Sequence, residues 1–159
     1  MATKSRKPRD LAGHLVNRRI AAPVERATLS LGQWTAGATV TPAPRFLADR
    51  RLVVREVWFV ASAVPSDADG ALTINALVWD DSEAADDTIV SAFDAEAQLT
   101  VANKAVEAVL VTETDELELT LEKGDSLRFQ LVNDSAGIDV NADVSAVVIY
   151  QVLENVEVR

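Results

Sequence analysis

The chain has 159 residues, no cysteine, a single histidine, and 25 Asp and Glu against 15 Lys and Arg, for a formal net charge of −10. This excludes disulfides, thiolate nucleophiles and Cys-ligated zinc, and it describes one domain long enough to bury a core without covalent staples. No apolar run approaches the ~20 residues of a membrane span, and no apolar stretch of signal-peptide length follows the basic start, so neither a membrane partner nor a secretion signal is expected.

The charge is divided along the chain. Residues 1–55 hold eleven of the fifteen bases and three acids (Asp10, Glu25, Asp49), a net of +8, whereas residues 56–159 hold four bases and twenty-two acids, a net of −18. Such a division marks an interaction tail on an acidic body. Residues 1–10 (MATKSRKPRD) are polar, basic and interrupted by Pro8, and bury too little apolar surface to offset their ordering entropy. Residues 11–20 (LAGHLVNRRI) have the spacing of a short helix, with Asp10 as N-cap and Leu11 and Leu15 on one face, although Gly13 weakens it. A lead-in follows through Pro23 and Pro42-Ala43-Pro44. Short strands are expected at Leu29–Leu31 and Thr39–Val40, on either side of a loop from Gly32 to Gly37. Residues 1–50 are therefore read as a basic arm and lead-in, and 51–159 as the folded body.

The body reads as strands divided by turns. Arg51–Ala63 is rich in β-branched and aromatic residues and gives one long strand or two. Pro65–Gly70 is a turn cluster. Ala71–Trp79 alternates, with Leu72, Ile74, Ala76 and Val78 on one side, and Asp80–Asp87 reads as an acidic loop. Ile89–Phe93 fits either a strand or a helical turn, and strands are expected at Val106–Thr112 and Val144–Leu153. Glu116–Glu122 and Ser126–Val132 alternate about Lys123-Gly124-Asp125, which predicts a hairpin with Leu121 opposite Leu127 and Leu119 opposite Phe129. About eight short strands at this spacing predict an all-β, antiparallel β-sandwich, with a jelly roll as the leading form.

No motif for chemistry stands out. The only histidine, His14, lies in the arm, where a preorganised site is hard to build, and the GxSxG and P-loop patterns are absent. With so many acids, any carboxylate pair lacks specificity, so a non-enzymatic protein with no cofactor is expected. Asp67 and Asp69 in Asp67-Ala68-Asp69-Gly70 are weak metal candidates, because most of the EF-hand pattern is missing and a plain turn explains them. Trp34, Trp58, Trp79 and Tyr150 raise the alternative of a carbohydrate-binding module. Trp79, beside the acidic loop, is its candidate glycan platform, with Trp58 read as core or subunit interface. Arg6, Lys7, Arg9, Arg18 and Arg19 are suited to phosphates or to acidic protein surfaces. The acidic body would repel nucleic acid at long range, which favours a protein partner.

From Val57 onward, the order of features resembles the jelly-roll decoration (cement) proteins of tailed bacteriophages. These features are the strand Val57–Ala63, the loop Val64–Gly70, the strand Ala71–Val78, the segment Ile89–Asp94, the Lys-Gly-Asp turn before Leu127, and a closing strand ending Val148–Leu153. The resemblance implies a structural virion protein that forms a homotrimer on the outer capsid surface and contacts the major capsid protein. Its arm (Arg6, Lys7, Arg9, Leu11, Leu15, Arg18, Arg19) would then make the anchoring contacts. A head-fibre or tail protein of the virion built on the same fold is the neighbouring alternative.

Overall fold

The structure, a computed structural model, describes residues 23–35, 39–40, 45–66, 71–110, 119–134 and 140–153. Ten strands and one short helix are present among them: β1 (Val24–Trp34), β2 (Thr39–Val40), β3 (Phe46–Leu47), β4 (Leu52–Ala61), β5 (Leu72–Asp80), β6 (Ala85–Asp94), α1 (Ala95–Gln98), β7 (Val106–Ala108), β8 (Thr120–Leu121), β9 (Ser126–Asn133) and β10 (Val140–Val152). They form two antiparallel sheets. The first has the order β1-β10-β4-β7, with β8 also on β4, and the second has β2-β9-β5-β6, with β3 also on β9. Because β7 and β8 share one edge of β4, and β2 and β3 share one edge of β9, the ten strands fill eight positions. Most long connections pass from one sheet to the other, and β5–β6 is a hairpin within the second sheet. This is the jelly-roll order, and the expected all-β sandwich is the fold of the chain.

Alternation explains how the core forms. Leu72, Ile74, Ala76 and Val78 point inward from β5, and Leu127, Phe129 and Leu131 point inward from β9. From the facing sheet come Val57, Phe59 and Ala61 of β4 and Val144, Ala146 and Val148 of β10. Phe59 sits at the centre, fully buried, 4.9 Å from the ring centroid of Phe93 and edge-on to Phe129 at 6.0 Å. Such ring pairs add to the stabilisation from burial alone.

Three local expectations are corrected. β1 does not end at Leu31. Gly32, at φ +84°, takes the left-handed conformation open to glycine and shifts the register on β10, so the strand continues and carries Trp34 into the core. The Trp34 indole Nε1 donates to the Thr73 carbonyl at 3.3 Å, tying β1 to the opposite sheet. The acidic loop is also shorter than expected: the turn spans residues 81–84, and Asp86 and Asp87 belong to β6.

The third correction concerns Lys123-Gly124-Asp125, which joins no hairpin. β8 pairs with β4 in the first sheet, and β9 pairs with β5 in the second, so this turn is a corner between sheets. Leu121 and Leu127 do both point into the core, but from different layers. The corner is held by specific bonds. The Gly124 N–H donates to the Ala48 carbonyl (3.0 Å), and the Ala48 N–H donates to the Asp125 carbonyl (2.9 Å). The buried Asp125 carboxylate accepts from the N–H of Glu122 (2.8 Å) and of Asp81 (3.1 Å). β1, β2 and β3 lie N-terminal to residue 51 and pair into the two sheets, so the sandwich draws on residues from Val24 onward.

Candidate functional surfaces

Arg6, Lys7, Arg9, Leu11, Leu15, Arg18 and Arg19 lie outside the described residues, as do Asp67 and Asp69. The described residues begin at one end of the sandwich. Pro23 stands at the start of β1, and its carbonyl accepts from the N–H of Val152 near the end of β10. Both ends of the described chain therefore emerge at the same end of the sandwich. There Pro23, Asp49, Arg50, Arg51, Glu122, Lys123, Val152 and Leu153 line a shallow cleft of about 350 Å³.

The charges around this cleft are largely paired. The Arg50 Nε donates to Asp49 at 3.0 Å, and the Arg51 Nε meets Glu122 at 2.8 Å. The hydrogen bond from Arg50 holds the Asp49 carboxyl below its ordinary range and raises the guanidinium in turn. Both pairs are solvent-exposed, so they orient side chains without adding much stability. Tyr150, half-buried beside this end, donates its hydroxyl to Glu25 at 2.9 Å. Burial, followed by that bond, pushes the phenol above its usual value.

With the sandwich drawn from Val24, the charge can be divided at its first strand. Residues 1–22 hold six bases (Lys4, Arg6, Lys7, Arg9, Arg18, Arg19) against Asp10, a net of +5, and residues 23–159 hold nine bases against twenty-four acids, a net of −15. Residues 23–55, which include β1 to β3, still hold five bases against two acids, a net of +3, so the acidic excess of the sandwich belongs to residues 56–159.

Trp79 lies on the outer face of the second sheet. It is half-buried, and the Arg128 guanidinium stacks over its ring at 3.9 Å while approaching Asp86 at 3.5 Å. One face of the indole is thus occupied by a cation rather than open to a sugar ring. The Arg128 Nε has no hydrogen-bond partner among the described residues. Trp34 is core, as described above. Around Trp79, the outer face of this sheet is mixed: Thr73, Asn75, Gln130 and Arg128 share it with Leu77 and Val132, and all alternate with the core residues.

The outer face of the first sheet is also mixed, with its apolar residues grouped on the two central strands. Val147 and Trp58 are cross-strand partners on it, with Ile149 and Val60 in the adjacent rows, all half-buried and all outside the core cluster. Val109, just beyond β7, is 81% exposed. The charges on this face are few, with Asp143 exposed on β10. Arg26 lies on β1, Arg55 bonds Gln151 on β10, Glu56 accepts the Trp58 indole N–H at 2.7 Å, and Glu107 lies on β7. The signal was present in the sequence. Val57-Trp58-Phe59-Val60 and Val147-Val148-Ile149 are continuous apolar runs where a half-solvated strand would alternate. Assigned to the core as a whole, such runs hide their second face.

Among the described residues, no group of three or more His, Cys, Asp or Glu is placed to hold a metal ion, and no helix is long and apolar enough to cross a membrane.

No protein-family model and no curated protein matches the chain. Among solved structures, it is similar to a chain of the cyanophage Pam1 capsid asymmetric unit, at 18% identity over 84% of this chain and 86% of that one, with a TM-score of 0.46. It is also similar to chains from infectious bursal disease virus. One is from the Gx strain, at 14% identity over 80% of this chain and 33% of that one with a TM-score of 0.40. Another is from the VP2 subviral particle, at 16% identity over 79% and 32% with a TM-score of 0.42. The chain spans about a third of the length of these infectious bursal disease virus chains.

Proposed function

We propose that this chain is a non-enzymatic structural virion protein: a decoration (cement) protein that oligomerises on the outer surface of a tailed-phage head and stabilises it, anchored through its basic N-terminal residues. The observation that carries this reading is the charge division at the entry to the fold, +5 for residues 1–22 against −15 for the remainder. A short basic segment on an acidic sandwich is attracted to an acidic protein surface through the segment alone, while the body is held off by like charge. The partner is then the major capsid protein, and contact is made by Arg6, Lys7, Arg9, Arg18 and Arg19, with Leu11 and Leu15 as apolar anchors. Homo-oligomerisation, threefold in the family that the sequence resembles, multiplies the anchors per particle and raises avidity without stronger individual contacts.

The test is co-sedimentation of the full-length chain with capsids assembled from the major capsid protein of the same phage. Replacing the five arm bases with Ser should abolish sedimentation with the particle while leaving the circular dichroism of the sandwich unchanged. Undiminished binding by that variant would remove the arm as the anchor, and a wild-type chain that never co-sediments would remove the function.

A further inference from the structure

We infer that the open edge of β1 is a strand-addition site, along which an extended, acidic segment of the major capsid protein pairs with residues 24–30. This rests on the function proposed above and names the part of the body that follows the arm onto the same partner.

Two sheets have four edges, and three of them are blunted. One edge of the first sheet is made of β7 and β8, three and two residues long, and one edge of the second is made of β2 and β3, two residues each. The edge strand β6 is longer, but its pairing with β5 shifts twice, Ala92 takes a φ of 48°, and Asp86 and Asp87 lie near its start. Short, bulged or charged edges are how a sheet avoids pairing with other chains. β1 differs. From Val24 to Ser30 its register on β10 is unbroken, no proline or lysine interrupts it, and among the described residues no strand pairs with its other side. A run of this length gives an edge ~23 Å long.

The phase of the hydrogen bonds identifies the groups on that side. The Pro23 carbonyl accepts from the Val152 N–H, so residue 23 turns its backbone towards β10, and alternation turns Glu25, Ala27 and Leu29 the same way. The N–H and C=O groups of Val24, Arg26, Thr28 and Ser30 therefore point to the open side, and all four residues are exposed. Such a row of donors and acceptors matches another extended backbone.

Charge and position select the capsid protein as its source. In the outward row Val24, Arg26, Thr28 and Ser30, the charged side chain is Arg26, which favours an acid on the strand opposite. Glu25 is turned inward and accepts from Tyr150, and Arg50, whose charge Glu25 supports, is paired with Asp49. Asp143, the exposed acid of β10, lies beyond Ser145 and outside the span. The basic residues 1–22 run directly into β1, so an acidic partner held by them lies next to this edge. The sequence Ala21-Ala22-Pro23 has no glycine, asparagine or aspartate for the positive φ of a two-residue hairpin, which disfavours the chain's own arm as the added strand.

Hydrogen exchange of the full chain, read by mass spectrometry with and without capsids of the same phage, tests this. In the free chain about half of the amides of residues 24–30 should exchange quickly, and capsid binding should protect about three or four more. Thr28→Pro removes one open-edge N–H and no bond to β10. It should keep the circular dichroism of the wild type and bind capsids about tenfold or more weakly, whereas Thr28→Ala should bind as the wild type does. Should Thr28→Pro unfold, the exchange of the wild type decides alone. Slow exchange of all these amides in the free chain would place a second copy or the arm on the edge and overturn the inference. Capsid binding that leaves their exchange unchanged, or that a folded Thr28→Pro leaves undiminished, overturns it too. If the wild type binds in that way and only replacement of the five arm bases abolishes binding, the proposed function stands and the edge assignment falls. A wild type that never binds removes both.

Discussion

Removing the Asp125 side chain should be among the most damaging single changes outside the hydrophobic core. Asp125 is 7% exposed, and its two carboxylate oxygens each accept one backbone N–H, from Glu122 within the corner and from Asp81 in the β5–β6 turn. Hydrogen bonds to a charged acceptor are worth about 1.5–3 kcal/mol each, and a buried donor left without a partner loses about 1–3 kcal/mol. Asp81 and Glu122 are both exposed residues, so each N–H can recover a bond to water and the loss lies at the lower end of the summed range. Asp125→Ala should therefore cost about 3–4 kcal/mol, and Asp125→Asn, which retains one acceptor, about half of that. For a chain of this length, that difference lowers Tm by about 8–14 °C for the alanine variant. Urea unfolding followed by tryptophan fluorescence gives the comparison directly. An Asp125→Ala variant within about 0.5 kcal/mol of wild type would refute the corner as a structural clamp, because that is the range of an ordinary surface substitution.

Four further outcomes are expected. Ala84 and Ala92 have φ of 55° and 48°, so Ala84→Gly and Ala92→Gly should each stabilise the fold by about 0.5–1 kcal/mol in the same urea assay. Phe59→Ala removes a fully buried ring packed on Phe93 and Phe129 and should cost about 3–5 kcal/mol. The Asp80 carboxyl is held below its ordinary 3.8, first by the Ser82 hydroxyl and then by the N–H groups of Ser82 and Glu83. A depressed folded value means that the contribution is present above the unfolded pKa and is lost as pH falls through the folded one. The Tm difference between wild type and Asp80→Asn should accordingly narrow below 3.8, and a difference that stays constant across acid pH would contradict this. Capsid binding through the arm should weaken steeply with added salt, since exposed charges are screened over about 10 Å at 0.1 M.

What the sequence disclosed and what it hid follow from the range of the forces involved. The faces of β5 were legible because the alternation of Leu72, Ile74, Ala76 and Val78 is a local, period-two consequence of the pleat. The inward faces of Leu121 and Leu127 were legible for the same reason, but their partners were not. Alternation says which way a side chain points and is silent about which sheet the strand joins, so a corner between layers looks like a hairpin. The extension of β1 through Gly32 to Trp34 was hidden because a bulge is stabilised by pairing with β10, more than a hundred residues away along the chain. Of the candidate surfaces, the charge division was fully legible, but it does not follow the boundary of the fold: the basic residues 23–55 include β1, β2 and β3. The apolar group on the outer face of the first sheet needed both Trp58 and Val147 to be placed side by side, which only the register of β4 on β10 provides.

The most direct test of the central claim is a reconstruction of phage heads incubated with the full-length chain. The account predicts β-sandwich density at regular positions on the outside of the shell, with the Pro23 end of the sandwich turned towards the major capsid protein and density for residues 1–22 lying on an acidic surface of it. Heads that show no added outer density, or sandwiches seated on the shell with the Pro23 end facing solvent, would contradict it.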